Sequence, residues 1–124
     1  MGSYRFRKEE RLSKEKDIQE LFKRGSSFYL YPFKVLLLPG LDQTHPFHQV
    51  IISVSVRNFR RAVDRNLLKR RIREAYRLNK AGIPGSKKLM IAYIYTAKEI
   101  LPFDQIQEKL ARTFNRFDQY VEKN

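Results

Sequence analysis

The chain reads as a single-layered α+β fold, in the order helix, strand, strand, helix, strand, helix. Three observations carry that reading. Apolar residues recur at helical spacing in three stretches, alternation or continuous apolar runs mark three others, and Gly or Pro punctuates the joins. With 124 residues, 42% apolar and 13% aromatic, the chain can build one compact core, and we expect a single domain over residues 1–124 with its packed part at about 8–121.

Ser13 to Arg24 carries Ile18, Leu21 and Phe22 with Gly25 behind it, which predicts a short amphipathic helix capped by Ser13. Phe28 to Leu38 is aromatic and aliphatic but interrupted by Pro32, so an edge-type strand is expected whose regular part is Phe33 to Leu38, ended by Pro39-Gly40. A surface loop, Leu41 to Phe47, leads into Gln49 to Val56, where Val50, Ile52, Val54 and Val56 share one face and Ile51, Ser53, Ser55 and Arg57 the other. Arg61 to Asn79 is the longest helical pattern, closed by Gly82, Pro84 and Gly85. Lys88 to Tyr95 is apolar on both faces, as an interior strand is. The last helix is capped by Asp104 and places Ile106, Leu110, Phe114, Phe117 and Val121 on its core side.

Charge narrows the function. The chain has 26 Lys and Arg against 13 Asp and Glu, a formal net charge of +13, and a polyanion would relieve the resulting self-repulsion. No apolar run approaches the roughly 20 residues of a membrane-spanning helix. The basic N-terminus is followed by charge rather than an apolar stretch, so cytoplasmic residence is expected. Without cysteine there is no disulfide, thiolate nucleophile or cysteine zinc site. His45 and His48 sit by a loop without a third ligand, the acids are scattered with Glu9-Glu10 the only adjacent pair, and no Gly-rich phosphate loop or serine elbow appears. No catalytic residue and no metal ligand is assigned to this chain, and a metal-dependent nuclease acting by itself lacks its ligands.

The charge is concentrated on the long helix. Between Arg57 and Arg77 stand nine basic residues, Arg57, Arg60, Arg61, Arg65, Lys69, Arg70, Arg71, Arg73 and Arg77, and two acids, Asp64 and Glu74. At about 100° per residue, Arg65, Lys69, Arg73 and Arg77 form an i, i+4 ladder with Asn66 and Arg70 beside it. Val63, Leu67, Leu68, Ile72, Ala75 and Leu78 lie opposite and are expected in the core. Arg71 falls on the apolar side, where it can reach solvent or pair with Asp64 or Glu74. Like charges at i, i+4 cost an isolated helix about 0.2–0.5 kcal/mol per pair, so the ladder points to an anionic partner. Planar guanidinium groups grip phosphate bidentately and stack on bases, which suits RNA. Phe28, Tyr29, Tyr31 and Phe33 offer rings on which single-stranded bases could stack or which could pack in the core, with Ser53 and Ser55 on an open sheet face beside them. Phe114 and Phe117 belong to the core by spacing, and Arg112, Arg116 and Lys123 around them are solvated or outer RNA contacts.

The run from Arg61 to Glu74, Arg-Ala-Val-Asp-Arg-Asn-Leu-Leu-Lys-Arg-Arg-Ile-Arg-Glu, resembles the signature of the bacterial ribonuclease P protein component at every fixed position. Arg11-Leu12, Asp17, Phe22, Gly25 and the strand at Leu89 to Tyr95 extend the resemblance over about residues 8–120. It implies an α/β sandwich with a mixed sheet and a left-handed β-α-β crossover, against the usual right-handed rule. It also implies an accessory subunit of an endoribonuclease that removes the 5′ leader of precursor tRNA, with catalysis in an RNA subunit and Mg²⁺ bound mainly by that RNA and the substrate. The implied partners are the catalytic RNA, one protein to each, and precursor tRNA, with no membrane. Arg65, Asn66, Lys69, Arg70 and Arg73 would dock on the catalytic RNA, with Arg57, Arg60, Arg61 and Arg77 around them. Phe22 would line a cleft for the leader with Ile18, Tyr31, Phe33, Ser53 and Ser55. Ile18 replaces the family's usual phenylalanine, and Val56 stands where relatives often carry a basic residue, a place Arg57 can fill. The alternative is a non-catalytic RNA-binding or ribosomal protein with a similar fold.

Overall fold

A computed structural model describes residues 6–83 and 87–121. Pro84, Gly85 and Lys123, named above, lie outside the described residues, as does the side chain of Val121. The elements are α1 (Glu15–Arg24), β1 (Ser26–Leu30), β2 (Phe33–Pro39), β3 (Gln49–Val54), α2 (Ala62–Asn79), β4 (Leu89–Tyr95), α3 (Phe103–Phe114) and α4 (Phe117–Val121), with 3₁₀ turns at Lys8–Glu10 and Lys80–Gly82.

The strands form one mixed sheet in the order β1-β2-β4-β3. β1 and β2 are antiparallel, as are β2 and β4, while β3 and β4 run parallel and are joined across the sheet by α2. This corrects the expected edge strand. Pro32 sits in the turn between β1 and β2, where its missing N–H costs no ladder bond, and β2 is interior. The turn joins the strands through Tyr31-Pro32, whose peptide bond is cis. β3 ends two residues short of its expected end, so Val56 escapes the alternation and is 62% exposed.

The sheet separates two cores. On one face Val35, Leu37, Ile91 and Tyr93 pack with Leu68, Ile72 and Ala75 of α2, Ile106 and Leu110 of α3, and Phe117 of α4. On the other, Leu36, Leu38, Met90 and Ala92 pack under Leu21 of α1 and Leu12. Each Val, Leu, Ile, Phe or Met among them contributes about 1.5–3 kcal/mol on burial. β4 is buried on both faces, as its unbroken apolar sequence predicts.

Capping differs from expectation in two places. Lys14, not Ser13, occupies the position before α1, and Pro102 rather than Asp104 precedes α3, neither with a side-chain cap. The predicted last helix is broken at Asn115 and Arg116, whose N–H groups close onto Arg112 and Thr113 carbonyls. That reset brings Phe114 and Phe117 together with ring centroids 5.3 Å apart. Gly25 ends α1 by bonding Leu21 O at 2.8 Å. A Cβ there would meet that carbonyl and stand 3.1 Å from Leu37 O, so the close approach of helix to strand requires glycine.

Candidate RNA interface

α2 is 18 residues long, about 27 Å at 1.5 Å per residue, and it is anchored by one side. Leu68, Ile72, Ala75 and Tyr76 are buried; Leu67 is half-buried, while Val63 and Leu78, expected in the core, are 59% and 37% exposed. Both lie near the helix ends. Tyr76, not expected in the core, is buried there with its ring set edge-on to Phe6 and Phe114.

The cationic side is largely unneutralised. Arg57, Arg60, Arg61, Asn66 and Arg70 are exposed, and Arg65, Lys69, Arg73 and Arg77 are half-buried, consistent with aliphatic stems lying along the surface. Among the described residues no carboxylate comes within ion-pair distance of these cations except Glu74, which pairs with Arg77. Arg77 Nε donates to Glu74 Oε1 at 3.0 Å. That bond lowers the Glu74 pKa and raises that of Arg77. Arg77 therefore stands at the muted end of the ladder.

Two arginines of α2 bind backbone. Arg65 Nη1 donates to the carbonyls of Phe59 and Arg60 at 2.8 and 2.9 Å, tying the loop before α2 to its first turn. Arg71, on the apolar side, pairs with neither acid; its Nη1 donates to Leu101 O at 2.7 Å and fixes the loop before α3.

The second surface is the sheet face that α1 only partly covers. Register places Tyr29, Lys34, Ile94 and Ser53 in one row across all four strands. Tyr29, Lys34 and Ser53 are exposed and Ile94 is half-buried. Phe22 of α1 is 48% exposed, and Ile18 packs beside Ile51 and Ile94 at the margin of the smaller core. Sequence reasoning does not pair Lys34 with Tyr29, although the buried Phe33 and Val35 on either side assign Lys34 to this face. Tyr31 is 46% exposed in the hairpin turn.

Two expected cleft residues are displaced. Phe33 is fully buried on the opposite face against Tyr93 and Tyr95, because its neighbours' alternation points it to the larger core. Ser55 lies beyond β3, half-buried, and its Oγ accepts the Arg57 N–H at 3.0 Å. Of the other rings, Phe28 is buried and stacks on Tyr120 at 4.8 Å, with the Arg116 guanidinium also over its ring. Arg116 Nη1 also donates to Tyr29 O, which makes it a brace between α4 and β1.

The polar groups beneath these surfaces are structural. Glu10 is buried and accepts Lys80 Nζ at 2.7 and 2.8 Å and the Arg7 N–H at 2.7 Å. His48 Nδ1 accepts the Leu89 N–H at 3.0 Å. Burial, with Lys88 nearby, lowers the His48 pKa to about 4. Tyr93 donates to Thr113 Oγ1 at 2.7 Å, since the Thr113 hydrogen is committed to Leu110 O. Among the described residues no three His, Cys, Asp or Glu side chains come together as a metal site.

Comparison with known proteins accounts for the combination. The ribonuclease P family model matches residues 6–118. The ribonuclease P protein component of Porphyromonas gingivalis is 42% identical over 73 residues, 59% of this chain, and the match spans about half of that relative's length, 53%. The Desulforapulum autotrophicum protein component is 34% identical over 94% of this chain and 95% of its own. Among solved structures, the RNase P protein from Thermotoga maritima superposes with a TM-score of 0.72 at 32% identity, covering 86% of this chain and 96% of that one. The Staphylococcus aureus RNase P protein gives 0.68 at 28% identity, covering 90% and 97%. With an arginine-rich crossover helix on a four-stranded mixed sheet and a family match over nearly its whole length, this chain belongs to the bacterial ribonuclease P protein family.

Proposed function

We propose that the chain is the RNA-binding protein subunit of ribonuclease P, assisting the Mg²⁺-dependent removal of the 5′ leader from precursor tRNA. The observation that carries this is the α2 strip. Arg57, Arg60, Arg61, Lys69, Arg70 and Arg73 have no acid partner among the described residues, while the far side of the helix is fixed in the core. Cations held this way are preorganised for phosphate and need little rearrangement to meet it. The catalytic RNA would dock there, one protein to each RNA, with Asn66, Arg65 and Arg77 at the margins. The single-stranded leader would lie on the partly open sheet face, between Phe22 and Ile18 of α1 and the row that includes Ser53 and Lys34, with Tyr31 at its end.

This division leaves bond cleavage to the RNA. The chain's own acids and histidines do not converge into a metal-binding set among the described residues, so the Mg²⁺ ions would be held by catalytic RNA and substrate, and the protein's task is to bind and orient. Among the described residues no helix is long and apolar enough to cross a membrane; we place the complex in the cytoplasm.

Reconstitution tests the proposal. Protein alone should leave precursor tRNA intact, and protein added to a cognate catalytic RNA should accelerate leader removal at moderate Mg²⁺. An active RNA that gains nothing from the protein would refute it.

A further inference from the structure

A cavity of about 380 Å³ is lined by Arg7, Glu10, Phe47, His48, Tyr76 and Lys88, among others. The N-terminal turn, the loop before β3, the end of α2 and the start of β4 converge there. Sites that hold small organic groups begin at about 300 Å³.

Its chemistry is one-sided. The Glu10 carboxylate is taken up by Lys80 and the Arg7 N–H, so its negative charge is spent within the protein. Arg7 and Lys88 have no carboxylate partner among the described residues. The Arg7 guanidinium lies over the Phe47 ring at 5.4 Å, and its Nε is a buried donor with no acceptor among the described residues. His48 Nδ1 accepts the Leu89 N–H, so its neutral ring carries hydrogen on Nε2. The cavity thus offers a guanidinium, an ammonium and an imidazole N–H, with Pro46, Phe47 and Ala81 as apolar wall.

We propose that this cavity is a nucleotide-binding pocket: it takes one nucleotide of a bound RNA strand, its phosphate on Arg7 and Lys88 and its base against the Arg7–Phe47 pair. Charge complementarity argues for a phosphate, and a small rotation of the guanidinium onto a phosphate oxygen would satisfy Nε. A planar guanidinium already laid on a ring is a platform on which a base can stack. Position argues for RNA rather than a free metabolite. The next groove along the N-terminal segment is lined by Phe6, Arg11 and Arg73, so cations lead from the α2 strip to the pocket. This inference rests on the RNA-binding reading above.

The test uses the full-length protein, a fluorescent single-stranded oligouridylate of about twelve nucleotides, within the site sizes of single-strand binders, and UMP as the free-nucleotide arm. RNA should shift the NMR resonances of Phe47 and His48, and Ala81→Phe, which fills the cavity without changing charge, should abolish those shifts. Arg7→Gln/Lys88→Gln should flatten the salt dependence of binding by about 0.7 for each phosphate no longer neutralised on a single strand. Lys69→Ala/Arg70→Ala is measured in parallel. Unmoved resonances on wild-type protein saturated with RNA, or an unchanged slope in the Arg7/Lys88 variant while the Lys69/Arg70 variant loses slope, overturn the pocket alone. Unchanged slopes in both overturn the RNA-binding reading with it. UMP binding more tightly per phosphate than the oligomer would overturn RNA as the source.

Discussion

Glu10 is the acid on which the N-terminal segment depends. Its carboxylate and the Lys80 ammonium are almost wholly withdrawn from water, with 3% and 13% of their side chains exposed. Removing the acid of such a pair takes away a buried charge-assisted contact, at a cost of up to about 3–5 kcal/mol. We expect Glu10→Ala to lower stability toward that amount in urea denaturation, and a loss under about 1 kcal/mol would show that Lys80 does not depend on Glu10. His48 makes a pH-dependent contribution. The unfolded ring takes its proton near pH 6.5 and the folded ring near 4, so between these values the unfolded chain binds more protons. The stabilisation is complete above pH 6.5 and declines as pH falls toward 4. His48→Asn, which keeps an acceptor for Leu89 N–H, should therefore flatten the fall in melting temperature between about pH 6.5 and 5; parallel curves for the two proteins would dismiss the role.

At the scale of elements, α2 does two jobs on opposite sides, and they separate by mutation. Lys69→Ala/Arg70→Ala should leave the melting temperature within about a degree or two, as surface changes of up to about 0.5 kcal/mol do. The same change should lower the slope of log affinity for catalytic RNA against log salt by roughly one unit for each phosphate that the protein ceases to neutralise. A slope that stays the same means these side chains touch no phosphate. The ladder is legible in the sequence because helical geometry converts spacing directly into a face. What spacing does not supply is the use of each cation: Arg65 and Arg71 hold carbonyls contributed by loops 5 to 30 residues away, and Arg77 is shared with Glu74. The hairpin is illegible for a different reason. Its turn is Tyr31-Pro32 rather than an Asn-Gly or Gly-rich pair, so β1 and β2 read as a single interrupted strand and the interior place of β2 is hidden. Phe33 is misplaced for the same reason, since its face is fixed only once the register with β4 is known. Val56 and Val63 show the limit of periodicity, which says which way a residue faces but not where the covering layer stops.

For the whole molecule, the two sides of the sheet are unequally clad. α2, α3 and α4 back one face, and among the described residues only the ten-residue α1 and Leu12 cover the other. Regions with few buried apolar contacts open at lower free energy than the core, so amide hydrogen exchange should release α1 before β2 and β4. Exchange of all three at one common free energy would mean that α1 opens only with global unfolding. The uneven cladding has a thermodynamic corollary for the proposed ligand. A strand of RNA laid beside Phe22 and Ile18 would complete a layer the polypeptide leaves half built, and by mass action it would add about 2.7 kcal/mol at about a hundred times its dissociation constant. Substrate would then serve as scaffolding for the very clasp that grips it, and the protein would be hardest to melt when its hands are full.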